Sequence, residues 1–182
     1  MKFCSQCGAA VALRVPDGDS LPRHVCTACG TIHYQNPRMV VGSVPEWAGS
    51  ILLCRRAIEP RRGYWTLPAG FMENLETLEA CAQREAREEA LAEVAIGSLL
   101  SVINVPHASQ VHLFYRASLV GGRYGVGHES LDAALYREAE VPWDDLAFPS
   151  VEFTLRRYFA DRAEGREGAH VTTVERLRRE PR

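Results

Sequence analysis

From residue 38 onward, the chain alternates between short apolar runs and turn-forming residues, a pattern typical of β-strands. A Pro-Glu-Trp-Ala-Gly stretch separates the first two runs and predicts a hairpin. A glycine-rich loop is expected at residues 121–127. The predicted strands cover residues 39–44, 51–54, 64–68, 93–105, 111–120 and 133–138.

Two stretches follow the helical period instead. Residues 77–91 contain neither Gly nor Pro and are rich in Ala, Leu, Glu and Arg, which predicts a helix. Residues 151–162 read as an amphipathic helix. The last twenty residues mix charges and lack bulky side chains, so we expect 163–182 to form a loosely held tail.

Composition narrows the class of protein. The 182 residues are 46% hydrophobic and 24% charged, which excludes wholesale disorder. No apolar run approaches the roughly 18 residues of a membrane span, so we expect a cytoplasmic protein without a membrane partner. A net charge of −2 gives no global field for nucleic acid, and none is expected as a partner.

The cysteine spacing predicts a metal site near the start of the chain. Cys4 and Cys7, then Cys26 and Cys29, form two C-x2-C pairs, each followed by glycine. Two such turns can complete a tetrahedral Zn²⁺ shell with no open position, so the metal would be structural. The alternative is four buried thiols with coincidental spacing. We predict a zinc ribbon over residues 1–36.

Three carboxylates share one side of the first predicted helix. Glu85, Glu88 and Glu89 fall within a sector about 100° wide. Such like charges repel unless a cation lies between them, and Mg²⁺ is a natural one. A merely solvated acidic face is the alternative. An apolar stripe beside the carboxylates and the loop 67–70 just before the helix favour the metal site.

These residues complete a known motif. Gly70, Glu76 and the run from Arg84 to Glu89 resemble the Nudix box, Gly-x5-Glu-x7-Arg-Glu-U-x-Glu-Glu-x-Gly-U. Leu91 stands where the pattern has its last glycine, and Leu75 stands where a glycine commonly precedes the first Glu. With the cysteines, the chain resembles the zinc-ribbon branch of the Nudix hydrolases, which includes FAD pyrophosphohydrolases and ADP-ribose pyrophosphatases.

The resemblance implies a fold and a reaction. The fold class would be α/β: a Nudix α/β/α sandwich with a mixed sheet over residues 37–162, preceded by the ribbon. The reaction would be hydrolysis of a nucleoside diphosphate linked to another moiety, with FAD or ADP-ribose as the small-molecule substrate, by a homodimer. An NADH pyrophosphatase is one alternative, although that branch's Ser-Gln-Pro-Trp-Pro-Phe-Pro-x-Ser stretch is missing. A non-catalytic nucleotide-sensing protein is the other.

The resemblance also implies roles for individual residues. Glu85 and Glu89 would be the core Mg²⁺ or Mn²⁺ ligands, with Glu88 and the Ala69 carbonyl as additions. Glu129 would be a further ligand or general base, or else a solvated loop carboxylate. Arg84 would pair with carboxylates or contact phosphate, and Arg55 and Arg56 could bind phosphate. Four aromatic residues could stack on a ring of the substrate: Tyr64, Trp65, Phe71 and Tyr124. For Trp65 and Phe71, core packing is the favoured alternative.

Overall fold

The computed structural model describes residues 1–175, which fall into two compact units, 1–36 and the chain from residue 37 onward. The first unit is a three-stranded antiparallel sheet in the order β1-β2-β3. Its strands are short, and a β-hairpin of this size is only marginally stable by itself. The strands are β1 (Val11–Arg14), β2 (Arg23–Cys26) and β3 (Ile32–His33).

The second unit is built on an eight-stranded mixed sheet. Its central path runs β10-β5-β4-β9-β8-β11, while β6 pairs with β5 and β7 pairs with β4. The β4–β9 and β8–β11 pairs are parallel and the others are antiparallel, which confirms the predicted mixed sheet. The strands are β4 (Arg38–Trp47), β5 (Ser50–Arg56), β6 (Trp65–Thr66), β7 (Ala69–Phe71), β8 (Val94–Val105), β9 (Gln110–Leu119), β10 (Ser130–Tyr136) and β11 (His170–Thr173).

Two helices cover opposite faces of this sheet, as a sandwich requires. Helix α1 (Leu78–Ala90) buries Cys81 and Ala82 against Val41 and Tyr115, which lie on one face of β4 and β9. Helix α2 (Pro149–Glu164) belongs to the largest core cluster, on the other face. That cluster includes Val44, Leu100, Ile103, Phe114, Val151, Leu155 and Phe159.

Strands β4 and β5 and helix α2 are longer than the sequence predicted, whereas β6 and helix α1 are shorter. In the first hairpin, β4 continues through Pro45 to Trp47, and the turn is limited to Ala48 and Gly49, both with positive φ. The loop at 121–127 begins with a short 3-10 turn over Val120–Gly122. Among residues 1–175, no helix is long and apolar enough to cross a membrane.

The expected loose tail at 163–182 is wrong for its first part. Helix α2 continues to Glu164, and β11 then pairs in parallel with β8 at the edge of the sheet. The buried Asp161 carboxylate accepts hydrogen bonds from Arg116 and from His170, which fixes the start of β11. The rest of the predicted tail, residues 176–182, lies outside the described residues.

Candidate active site

The four cysteines converge in the first unit. Their Sγ atoms all lie within 4.8 Å of one another, with Cys4–Cys29 at 3.8 Å and Cys7–Cys26 at 3.4 Å. A tetrahedron with Zn–S bonds of about 2.3 Å has edges of about 3.8 Å. The glycine after each pair, Gly8 or Gly30, has a φ near +74°, the left-handed conformation that such a turn uses.

Hydrogen-bond donors surround these sulfur atoms. Backbone N–H groups of Ala28 and Cys29 donate to Cys26 Sγ, each at 3.4 Å, and these bonds lower the pKa of Cys26. The hydroxyl of Thr31 lies 3.1 Å from Cys29 Sγ and lowers the pKa of that thiol to about 6. His33 Nε2 lies 3.3 Å from Cys4 Sγ and is placed as an outer partner of the cluster. The donor set fits a closed thiolate metal site.

Helix α1 carries the acidic residues of the second unit. It begins after Thr77, whose hydroxyl accepts a hydrogen bond from the Ala80 N–H, and it ends at Leu91 in a left-handed conformation. Ala82, Ala86 and Ala90 are fully buried against the sheet. This packing fixes the rotation of the helix and brings Glu85 and Glu89 to the edge of the core, where both are also buried.

The loop before α1 is shaped around these carboxylates. A Cβ atom added to Gly70 would fall on the Glu85 carboxylate, so the first glycine of the motif leaves the space that this side chain occupies. The backbone N–H of Ala69 donates to Glu89 Oε2 at 3.3 Å. Strand β7 and α1 therefore place the Ala69 peptide beside both acidic side chains.

Arg84 joins the acidic residues to one another. Its guanidinium binds Glu76 at 2.8 Å, Glu85 at 2.6 Å and Glu88 at 3.0 Å, and it also donates to the Phe71 carbonyl. The pairing lowers the pKa of Glu76 to about 2 and raises that of Arg84. These contacts match the carboxylate-pairing role among the alternatives for Arg84.

The surroundings of Glu89 disfavour its ionised form. Burial raises its pKa to about 8, and the charge of Glu85 adds to the shift. Burial also raises the pKa of Glu85, although Arg84 opposes this. Keeping both carboxylates ionised requires a further positive partner, and their hard oxygen donors suit Mg²⁺ or Mn²⁺.

Glu129 faces the same cluster from the loop after β9. The charge of Glu129 acts on both Glu85 and Glu89. Its loop is fastened to the end of α1: the Gly125 N–H donates to the Ala90 carbonyl at 2.7 Å, and the Gly127 N–H donates to the Glu89 carbonyl at 3.1 Å. A Cβ on Gly127 would overlap the Glu88 carbonyl, so only glycine permits this approach.

The acidic cluster opens into a cavity of about 670 Å³, within the range of small-molecule sites. Ala69, Glu85, Glu88, Glu89 and Glu129 line one part of it together with Arg84 and Arg56. The charge of Arg56 acts on Glu89, so Arg56 is the member of its pair that faces the acids. The rest of the lining includes Val105, Gln110, His112, Phe114, Phe148, Ser150 and Val174.

The structure separates three aromatic or basic candidates from this cavity. Arg55 points out of β5 toward solvent and donates to the Gly63 carbonyl. Tyr64 lies beneath Arg61, and Tyr124 is exposed; neither lines the cavity. The choice between Arg55 and Arg56 depends on which face of β5 each residue occupies.

The two remaining aromatic candidates, Trp65 and Phe71, lie in different surroundings. Trp65 packs edge-on against Tyr136 with 5.2 Å between the ring centroids, which agrees with the core-packing alternative. For Phe71 that alternative is wrong: the side chain is 46% exposed, lines the cavity and is covered by the Arg38 guanidinium at 4.3 Å. Sequence patterns did not indicate Gln110, His112 and Ser150. Gln110 and His112 lie on β9, and the packing of α2 against the sheet brings Ser150 to His112.

Comparison with known proteins agrees with this architecture. Residues 2–35 match the zinc-ribbon family model "Nudix N-terminal", and residues 37–116 match the "NUDIX domain" model. A solved NUDIX hydrolase from Nitrosomonas europaea is 52% identical, with a TM-score of 0.92, over 96% of this chain and 99% of that one. The chain belongs to the Nudix hydrolases. The Nudix box and the zinc ribbon are thus both supported by relatives.

Curated relatives of this Nudix hydrolase have two different activities in their names. An ADP-ribose pyrophosphatase from Methanocaldococcus jannaschii is 28% identical over 60% of this chain and 67% of its own length. A NAD-capped RNA hydrolase NudC from Photobacterium profundum is 31% identical over 77% of this chain. The matched region spans about half, 51%, of that NudC protein.

Proposed function

We propose that this Nudix hydrolase cleaves a nucleoside diphosphate linked to another moiety, with ADP-ribose or FAD as substrate, into two monophosphates. The observation that carries the proposal is one cavity lined both by the acidic cluster and by apolar residues such as Val105, Phe114 and Phe148. A dinucleotide pyrophosphate would place its phosphates at the acidic cluster and an uncharged group against the apolar residues. The preference over nucleoside triphosphates rests on the similarity to an ADP-ribose pyrophosphatase, because a triphosphate could meet both kinds of lining in the same way.

Glu85 and Glu89 are the proposed ligands of Mg²⁺ or Mn²⁺, with Glu88 and the Ala69 carbonyl as additional donors. Such an ion would polarise the phosphoryl oxygens and offset the charge that develops on the leaving phosphate. Arg84 holds Glu85 and Glu88 in place through its ion pairs. Arg56 is the proposed phosphate contact, because it lines the cavity near Glu89.

Water is the second substrate. Attack of water on one phosphorus breaks the bond to the bridging oxygen, which leaves with the second phosphate. Glu129 is the proposed acceptor of the water proton, because its carboxylate faces Glu85 and Glu89 and is 43% exposed to solvent. A general base must reach both the water and the reacting centre.

Similarity to NudC supports a second candidate, cleavage of the pyrophosphate in NAD or in an NAD cap on RNA. The same acidic cluster could serve that reaction, because the scissile bond is also a pyrophosphate. A homodimer remains the proposed assembly, and sedimentation velocity can measure it.

The test is a substrate panel with Mg²⁺ and chromatographic identification of every product. It comprises ADP-ribose, FAD, NADH, NAD-capped RNA, diadenosine polyphosphates and nucleoside triphosphates. We expect AMP plus ribose 5-phosphate from ADP-ribose, or AMP plus FMN from FAD. The kcat/KM for ADP-ribose or FAD should exceed the kcat/KM for any nucleoside triphosphate by about tenfold or more. This factor corresponds to ~1.4 kcal/mol in transition-state binding.

The other outcomes are informative. A triphosphate as the best substrate would reject the proposed substrate class. Preference for NADH or capped RNA would favour the second candidate. Ligand binding without turnover of any member would indicate a nucleotide sensor.

A further inference from the structure

The part of the cavity away from the acidic cluster has a wall of its own. We call it the distal wall and define it by Val105, Gln110, His112, Phe114, Phe148 and Ser150. The strand register shows how far this wall lies from Phe71: His112 on β9 pairs with Val40 on β4, and Val40 pairs with Phe71 on β7. With strands about 4.8 Å apart, His112 lies about 10 Å across the sheet from Phe71.

A chain of hydrogen bonds holds the polar residues of this wall. His112 Nε2 lies 2.9 Å from Gln110 Oε1, and His112 Nδ1 lies 3.0 Å from Ser150 Oγ. The Ser150 carbonyl accepts a hydrogen bond of 2.8 Å from Thr154, whose hydroxyl meets that of Ser101 at 2.9 Å. Ser150, Thr154 and Ser101 are all buried, so the chain is anchored in the core.

This arrangement determines which polar atoms remain free. With the Gln110 carboxamide oxygen facing His112, Nε2 carries the ring proton and Nδ1 accepts from the Ser150 hydroxyl. Both ring nitrogens are then satisfied, and burial lowers the pKa of His112 to about 4, which keeps the ring neutral. Gln110 lines the cavity, and its NH₂ group has no partner in this chain of contacts.

We propose that Gln110 and His112 bind the heteroaromatic base of the nucleotide, with the Gln110 amide donating to a ring acceptor and the His112 ring providing an uncharged surface. Ser150 is a positioning residue that acts through His112. The inference rests on the proposed function for the identity of the ligand as a nucleotide.

The surroundings favour a base over a phosphate at this wall. Val105, Phe114 and Phe148 supply apolar contact area, and a planar base has large faces to bury. Of the two arginines that line the described part of the cavity, Arg84 pairs with the acids, whereas Arg56 acts on Glu89 and also lies over the Phe148 ring at 5.1 Å. None of the six residues of the wall itself carries a charge, because His112 is neutral. Few, well-placed polar groups in an apolar wall are typical of sites that orient a ligand.

The experiment compares two ligands that differ only in the base. Affinities of AMP and ribose 5-phosphate are measured by calorimetry with Mg²⁺ present, for the full chain and for Gln110→Glu. Glutamate keeps an acceptor for His112 but replaces the NH₂ donor by an oxygen. We expect the AMP affinity relative to ribose 5-phosphate to fall about tenfold, the effect of losing one hydrogen bond and gaining a repulsive contact.

Further variants control for misfolding and for new contacts made by the glutamate of Gln110→Glu. Gln110→Ala removes the amide, and we expect a similar loss of the base contribution. Ser150→Ala should reduce the AMP preference by a smaller factor while leaving ribose 5-phosphate affinity unchanged. Gln35→Glu makes the same chemical change at an exposed residue outside the cavity lining and should leave both affinities as they are.

An unchanged AMP preference in both Gln110 variants would overturn the proposal. Equal weakening of AMP and ribose 5-phosphate would overturn it as well, because the residue would then support the cavity and not the base. The measurement needs no turnover. A panel without pyrophosphate hydrolysis, combined with a loss of AMP preference in Gln110→Glu, would reject the proposed function and retain this inference.

Discussion

The cysteine cluster of the first unit and the acidic cluster of the second are organised in opposite ways. In the first unit, four sulfur atoms already lie within 4.8 Å of one another and backbone N–H groups point at them. Within the described residues, the acids of the second unit form no comparable group of converging ligand atoms. Arg84 instead forms ion pairs with three of them, Glu76, Glu85 and Glu88.

The difference agrees with the roles proposed for the two sites, a structural metal site in the first unit and a substrate-binding site in the second. A closed thiolate shell leaves no position for a reactant. Mg²⁺ is usually bound by a few carboxylates together with water and substrate phosphates, so an incomplete protein shell suits it. The acidic helix, moreover, is held by fully buried Ala82, Ala86 and Ala90 and does not need an ion for its packing.

The largest effect is expected in the ribbon. Cys26→Ser removes one of four ligands from a unit with only three short strands, while structural zinc contributes on the order of 10 kcal/mol to such folds. We expect residues 1–36 to lose their protection in proteolysis and exchange measurements, as they should in wild type treated with a strong chelator. Metal analysis should find zinc in protein purified without chelator, and its absence would contradict the assignment.

The second effect concerns catalysis without loss of the fold. Glu89→Gln and Glu85→Gln should each lower kcat about 100-fold or more, which corresponds to ~2.7 kcal/mol of transition-state stabilisation. The midpoint of urea unfolding, measured with EDTA, should not fall for Glu89→Gln, because the change removes a buried charge and leaves an acceptor for Ala69.

Glu93→Gln is the matched control for these variants. Glu93 is exposed and pairs with Arg87 at 2.8 Å, outside the cavity lining. Its activity should stay near that of wild type. Near-normal hydrolysis by both site variants would remove Glu85 and Glu89 from the proposed mechanism.

The smallest expected effect is a change in the free energy of unfolding caused by the backbone conformation of Leu75 and Leu91. Leu75 has a φ of +68° and a fully exposed side chain, at 108%, so the residue has backbone strain with little packing to offset it. Leu75→Gly should raise the free energy of unfolding by about 0.5–1 kcal/mol. Leu91→Gly should gain less, because the Leu91 side chain contacts Gly125.

Urea unfolding of both variants measures these changes, with Leu75→Ala as the control. Alanine keeps the backbone strain and removes the side chain. A stabilisation by alanine equal to that by glycine would show that the exposed leucine, and not the left-handed backbone, is unfavourable.

Local patterns predicted much of the second unit. Helix α1, the long strands β8 and β9 and the grouping of Glu85 with Glu89 all follow from short-range patterns. The positive φ at Leu91 also agrees with the glycine that the motif has at this position. The Cys-x2-Cys spacing similarly reflects the local geometry of a turn.

Long-range contacts decided the rest. Strand β11 has only four residues, and it pairs with β8, which lies far away in sequence. His170 at its start contacts Asp161, which in turn binds Arg116, 45 residues earlier in the chain. The contact between His112 and Ser150 joins a strand to a helix 38 residues later. No periodicity within either segment signals such a meeting, because it depends on tertiary packing.

The fastening of the Glu129 loop to helix α1 has a mechanical consequence. Gly125 and Gly127 bind the carbonyls of Ala90 and Glu89, which the helix itself leaves unpaired at its end. Fraying of the last helical turn would therefore release the loop, and lifting of the loop would expose the helix end. We therefore expect the loop that carries Glu129 and the end of the helix that carries Glu89 to lose their protection from hydrogen exchange together.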